Sequence, residues 1–101
     1  MNIQKLMKQA QQAQAQMATI QDELANQTVE ASAGGGMVKV VMTCDQNLKE
    51  LHIDPAAVDP EETELLEDLI LAAINEASRM AAETSAKKME AITGGLDLPG
   101  F

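Results

Sequence analysis

The chain has little of several things that most functions need. Its only cysteine is Cys44, so no intrachain disulfide can form, and a reducing cytoplasm fits. Tyr and Trp are absent and Phe occurs once, which excludes a thick aromatic core and an aromatic platform for stacking bases. Lys and Arg total 7 against 16 Asp and Glu, a net charge of −9, so the chain as a whole repels phosphate. No apolar run approaches the ~20 residues of a membrane span. The N-terminus lacks an apolar signal core, and a soluble cytosolic protein with no membrane partner is expected. One His and one Cys leave little for catalysis. At 101 residues a single domain, 1–101, is expected.

What is present is helical pattern on either side of a short β region. Residues 2–25 are rich in Gln and Ala and free of Gly and Pro. Ile3, Leu6, Ala10, Ala13, Met17, Ile20 and Leu24 step by alternating threes and fours, an unbroken heptad seam. That seam argues for a helix against a disordered Gln tract. A meander of three strands is expected over 27–54. Val29, Ala31 and Ala33 alternate with polar residues, and Met37 to Thr43 puts Val38, Val40 and Met42 on one face. Leu48 to Ile53 alternates again before Asp54-Pro55. Gly34-Gly35-Gly36 reads as a turn. A phosphate cradle of the P-loop kind would need Lys-Ser/Thr opening a helix, and here a strand follows. Short connections favour an antiparallel meander.

Asp59, Pro60 and Glu62 read as a helix start with a capping box, and the second helix is expected over 60–92. Leu66, Leu69, Ile70, Ala73, Ile74, Ala77, Met80 and Ala81 form its apolar stripe. Gly94-Gly95 is expected to end it, leaving a short mobile tail over 94–101. Helices of about 35 and 50 Å overhang strands of about 20 Å. Apolar seams that one chain cannot cover point to a homodimer. From the first helix, Leu6, Ala10, Ala13, Met17 and Ile20 are candidate interface residues. Leu66, Leu69, Ile70, Ala73 and Ala77 are the candidates from the second.

Charge is distributed unevenly. Residues 1–21 carry Lys5 and Lys8 and no acid, whereas 45–68 carry nine acids and only Lys49. Antiparallel packing of the two helices would bring Lys5 and Lys8 to Lys87 and Lys88 at a tip away from the sheet, with Arg79 further in.

The segments SAGGGMVKV, HIDP and LLEDLILAAINEA, with LMKQAQQAQ in the first helix and GGLDLPGF at the end, closely resemble the YbaB/EbfC family of small bacterial nucleoid-associated proteins. The combination is specific and covers nearly the whole chain. The resemblance implies an α+β fold: an α-β-β-β-α protomer with a small antiparallel sheet and two long helices, in an intertwined homodimer with protruding helices. It also implies binding of double-stranded DNA, a nucleoid location, and a role in nucleoid organisation and gene regulation. The family usually carries Gly in the turn between the last two strands, where this chain has Thr43-Cys44-Asp45-Gln46.

Under that reading Lys5, Lys8, Arg79, Lys87 and Lys88 contact DNA, mainly at phosphates, which position without specifying sequence. Composition alone favours ordinary solvated lysines; the resemblance reverses that order. A second reading is a protein-interaction scaffold dimer working with replication or repair proteins, whose Met-rich seams adapt to partners. An enzyme is not expected, because His52 and Cys44 have no evident third member. Nor is a metal or other cofactor, because Glu61, Glu62, Glu64, Glu67 and Asp68 match no ligand spacing.

Overall fold

The computed structural model describes residues 2–96. Helix α1 spans Ile3–Asn26, strands β1, β2 and β3 span Thr28–Ala33, Val38–Thr43 and Leu48–Ile53, and helix α2 spans Thr63–Leu96. A single 3-10 turn, Pro55–Ala57, lies between β3 and α2. This is an α-β-β-β-α chain with an antiparallel sheet in the order β1-β2-β3.

The core is thin and made of small residues. Val38, Val40 and Met42 on central β2 face Ala73, Ala77 and Ala81 on α2, and the three alanines have no exposed surface. Alanine every fourth residue keeps one face of α2 flat, so the helix lies close on the strands. Val29 and Ala33 of β1, together with Leu66, Leu69, Ile70, Ile74 and Met80 of α2, pack around this centre. Ala73 and Ala77 therefore do not belong to a dimer interface. Both are used up inside the protomer, and their apolar periodicity could not say which surface covers them.

Helix α2 lies over β1 and β2 and leaves β3 largely uncovered. In the antiparallel register Leu51 sits opposite Val40 and Ile53 opposite Val38. A bulge between Val41 and Met42 brings Leu48 opposite Met42. The apolar row of β3 thus continues the core face, yet Leu48 and Leu51 are exposed.

Two boundaries differ from expectation. Asp59 does not open α2. Its carboxylate accepts from Glu61 N at 2.9 Å and its carbonyl from Glu62 N at 2.9 Å, which closes a separate turn, and the helix starts at Thr63. Gly94 and Gly95 do not end it either, since α2 continues to Leu96. Glycine lowers helix stability by about 1 kcal/mol relative to alanine, a bias and not a stop. The expected tail over 94–101 is thus helical for its first three residues, and the rest of it, 97–101, lies outside the described residues.

Both turns of the meander need left-handed backbone. Gly34 has φ +64°, and a Cβ there would stand 3.0 Å from Leu69 Cδ2, so the residue gives α2 its close approach. In the β2–β3 turn the positive φ, +67°, falls on Gln46, in the segment where the resembling family usually has glycine. Its side chain holds the conformation, because Nε2 donates to the carbonyl and the hydroxyl of Ser78, each at 3.2 Å.

Candidate nucleic-acid interface

Helix α1 reaches the sheet at the end where α2 leaves it. Thr28 pairs with Thr43, Cys44 N donates to the carbonyls of Leu24 (3.0 Å) and Gln27 (2.8 Å), and Gln46 is tied to Ser78. The helices are therefore antiparallel, with α2 projecting beyond the sheet as α1 arrives. Lys88 Nζ lies 3.1 Å from Glu23 Oε2, which fixes their relative height. From Glu23 to Lys5 is 18 residues, or about 27 Å along the axis. The protein is accordingly 70 Å long and only 24 by 16 Å across.

This geometry corrects the expected meeting of lysines. Lys88 stands at the base of the arm beside Glu23, while Lys5 and Lys8 stand at its far end. Helix α2 spends its first turns on the sheet, so too little remains to follow α1 to the tip.

The five candidate cations differ in what surrounds them. Arg79 lies on the stretch of α2 that covers the sheet. It grips Glu76 with two bonds (2.6 and 3.1 Å) and Glu83 with one of 2.9 Å. The Glu76 hydrogen bond and charge push the already high Arg79 pKa higher, and the Arg79 hydrogen bond lowers that of Glu76. Lys87 lies 3.6 Å from Glu83, and Lys88 pairs with Glu23. Lys5 and Lys8 make no ion pair among the described residues and are exposed, one turn apart on a helix begun by Asn2, whose Oδ1 accepts from Lys5 N at 3.3 Å. The next acid along α1 is Asp22.

Spacing alone signals the α2 pairs, since Glu76–Arg79, Arg79–Glu83 and Glu83–Lys87 are three or four apart. The Glu23–Lys88 pair has no such signal. Lys39 and Lys49, which the sequence reading left aside, are also without ion pairs among the described residues, but they lie on the sheet.

The interface candidates divide as well. Along the α1 seam Leu24 is buried, Ile20, Met17 and Ala13 are half-buried, and Ala10, Leu6 and Ile3 are exposed. On α2, Leu66, Leu69 and Ile70 are half-buried against the protomer's own core.

Cys44 is buried, and His52 is exposed with Nε2 3.3 Å from Glu50 Oε1. They lie toward opposite ends of the sheet. No helix among the described residues is long and apolar enough to cross a membrane.

Relatives of known description share this chain at high identity. A nucleoid-associated protein of Moorella thermoacetica is 56% identical over 100 residues, 99% of this chain and 96% of its own. One of Akkermansia muciniphila is 52% identical over 99 residues, 98% and 95% of the two chains. The crystal structure of an uncharacterized protein from Helicobacter pylori superposes with a TM-score of 0.83 over 92% of this chain and 98% of the other; at 18% identity it shows the shared fold. The description of the YbaB/EbfC DNA-binding family matches residues 1–96, and with relatives above half identity along nearly its full length the chain belongs to that family.

Proposed function

We propose that the protein binds double-stranded DNA as a homodimer, with Lys5 and Lys8 at the tips of the arms as its principal phosphate contacts. It thereby contributes to nucleoid organisation and gene regulation in the bacterial cytoplasm. The observation that carries this reading is the separation of charge. Two unpaired lysines stand on 21 residues without an acid, about 21 to 26 Å along the axis from Asp22, the first acid of α1. That distance is some three Debye lengths at physiological salt, so the net charge of −9 hardly reaches the tip. Membership of a DNA-binding family and the nucleoid-associated relatives support it. Lys87, Lys88 and Arg79 act second, because a phosphate would have to displace the carboxylates they hold.

The homodimer rests on uncovered apolar surface. Leu48 and Leu51 of β3 and the upper α1 seam are exposed in the single protomer, and a second copy is the simplest cover. Leu6, Ala10, Ala13, Met17 and Ile20 remain interface candidates, with Leu66, Leu69 and Ile70 able to contribute only their exposed fraction.

The test is a salt titration of duplex retardation. A dimer that neutralises four phosphates through Lys5 and Lys8 gives a slope of about −3.6 in log K against log salt. A shallow slope, or no retardation at low salt, favours the second reading, a scaffold dimer for replication or repair proteins. The neutralisation of three of the five candidate cations is what speaks for that alternative.

A further inference from the structure

The side of α1 turned away from its seam is rich in glutamine. Six glutamines stand between residues 4 and 16, and no acid stands before Asp22. The chain nevertheless has 16 acids, and a solvated helix face is where glutamate, an equally good helix former, ordinarily goes. At about 100° per residue, Gln4 and Gln11 share one row two turns apart, about 130–150° round the helix from Leu6, Ala10 and Ala13. The row therefore stays open whether or not a second copy covers the seam. Both residues are exposed, and neither side-chain amide has a partner among the described residues. Ala15 and Ala18 continue the same face toward the sheet and are small. Lys5 and Lys8 lie on one flank of the row, and Met7, 59% exposed, lies on the other. The described part of α2 ends at Leu96, about 12 Å beyond the Glu23–Lys88 pair and level with Ala15, so Gln4 and Gln11 stand above it.

We infer, resting on the DNA-binding reading above, that Gln4 and Gln11 read base edges in the major groove and give the protein a preference for A·T pairs. A glutamine amide matches adenine in that groove: Nε2 donates to N7, and Oε1 accepts from the N6 amino group. The methyl group of the paired thymine stands close by, where Met7 offers an adaptable apolar contact. A helix about 10–12 Å across fits a groove about 12 Å wide. Ala15 and Ala18 let this face come down to the groove floor, as larger side chains would not. Lys5 and Lys8, on the flank of the row, then reach the phosphates along one wall and set the register in which the amides meet the bases. An amide free of protein partners gives up only water when it pairs with a base, whereas a carboxylate in the same place would be repelled by the phosphates on both sides. Charge thus supplies the affinity of the arm, and the neutral row beside it supplies the choice of sequence.

Selection of bound sequences from a randomised duplex library, with the full chain, tests this. Wild type is expected to enrich adenine at defined positions. Gln4→Ala/Gln11→Ala should lose that enrichment and keep the salt slope of wild type, since alanine holds a helix at least as well as glutamine. On a selected duplex, replacing the enriched adenines by 7-deazaadenine, which lacks the N7 acceptor, should weaken wild type about tenfold and leave the variant unchanged. Gln9→Ala/Gln16→Ala, nearer the seam, should behave as wild type in both measurements. No enrichment by wild type, the same enrichment by Gln4→Ala/Gln11→Ala, or an equal response of the two proteins to 7-deazaadenine would overturn the inference and leave duplex binding standing. Failure to retard any duplex at low salt would instead remove the DNA-binding reading, and the base contacts with it.

Discussion

Two runs of alanine at helical spacing meet opposite fates in this protein. Ala73, Ala77 and Ala81 on α2 are sealed against β2, while Ala10 and Ala13 on α1 stand exposed and half-buried. The residues are the same and the spacing nearly so. What differs is the neighbour: α2 turns back along its own sheet, and α1 passes the end of the sheet with only part of α2 beside it. An apolar stripe thus announces that a face wants cover, and topology determines whether the chain itself supplies it. The half with the sheet is a folded core, and the arm is a surface held out for something else.

The sharpest way to break that contrast is to reverse charge on the arm. Lys5→Glu/Lys8→Glu should lower duplex affinity at least a hundredfold at low salt, by loss of the four phosphate contacts of the proposed dimer. The melting temperature should stay within a degree or two, because neither lysine holds a partner. Lys87→Glu/Lys88→Glu should weaken binding less and also lower stability, since it places two carboxylates against Glu23 and Glu83. Comparing retardation with thermal melts of both double variants separates the two outcomes.

Next in size is a pair of matched enlargements. Ala77→Leu should cost about 1–3 kcal/mol, because the helix cannot keep its distance from Val38 and Val40. Ala10→Leu should be close to neutral in the same denaturant titration. A smaller effect is expected in the β2–β3 turn. Ser78→Ala should cost about 0.5 kcal/mol, because it removes the hydroxyl but leaves the residue-78 carbonyl to accept from the amide that holds Gln46 in its left-handed conformation. Gln46→Gly in the same background should recover part of it.

The smallest effect concerns pH. The folded Glu76 carboxyl titrates below its unfolded value because Arg79 hydrogen-bonds it. Its contribution is therefore present above the usual carboxylate range and lost as pH falls through the lowered folded pKa. Both groups are in water, so the melting curves of wild type and Glu76→Gln should differ only slightly near neutrality and converge in acid.

Legibility follows the same division. The three strands were readable because alternation and turn residues act over a few positions, and Val38, Val40 and Met42 could only be one face. The α1 seam was readable for the same local reason. The height at which the helices meet was not, since it depends on how many turns α2 spends on the sheet before leaving it. That one number moved Lys88 from the tip to the base and took Ala73 and Ala77 out of the interface. The glutamates holding Arg79 were within reach of a spacing argument; Glu23 became visible only when the helices were set side by side.

The Glu23–Lys88 contact sits where a long lever meets its mount. A change of ten degrees in the tilt of α1 there would carry Lys5 sideways by about 5 Å, more than the ~3.4 Å axial rise between successive phosphates of one strand. In the proposed dimer the gap between the cationic ends would then be set at the root, by an ion pair far from the duplex. Ionic strength would act twice, on the grip and on the span of the calliper.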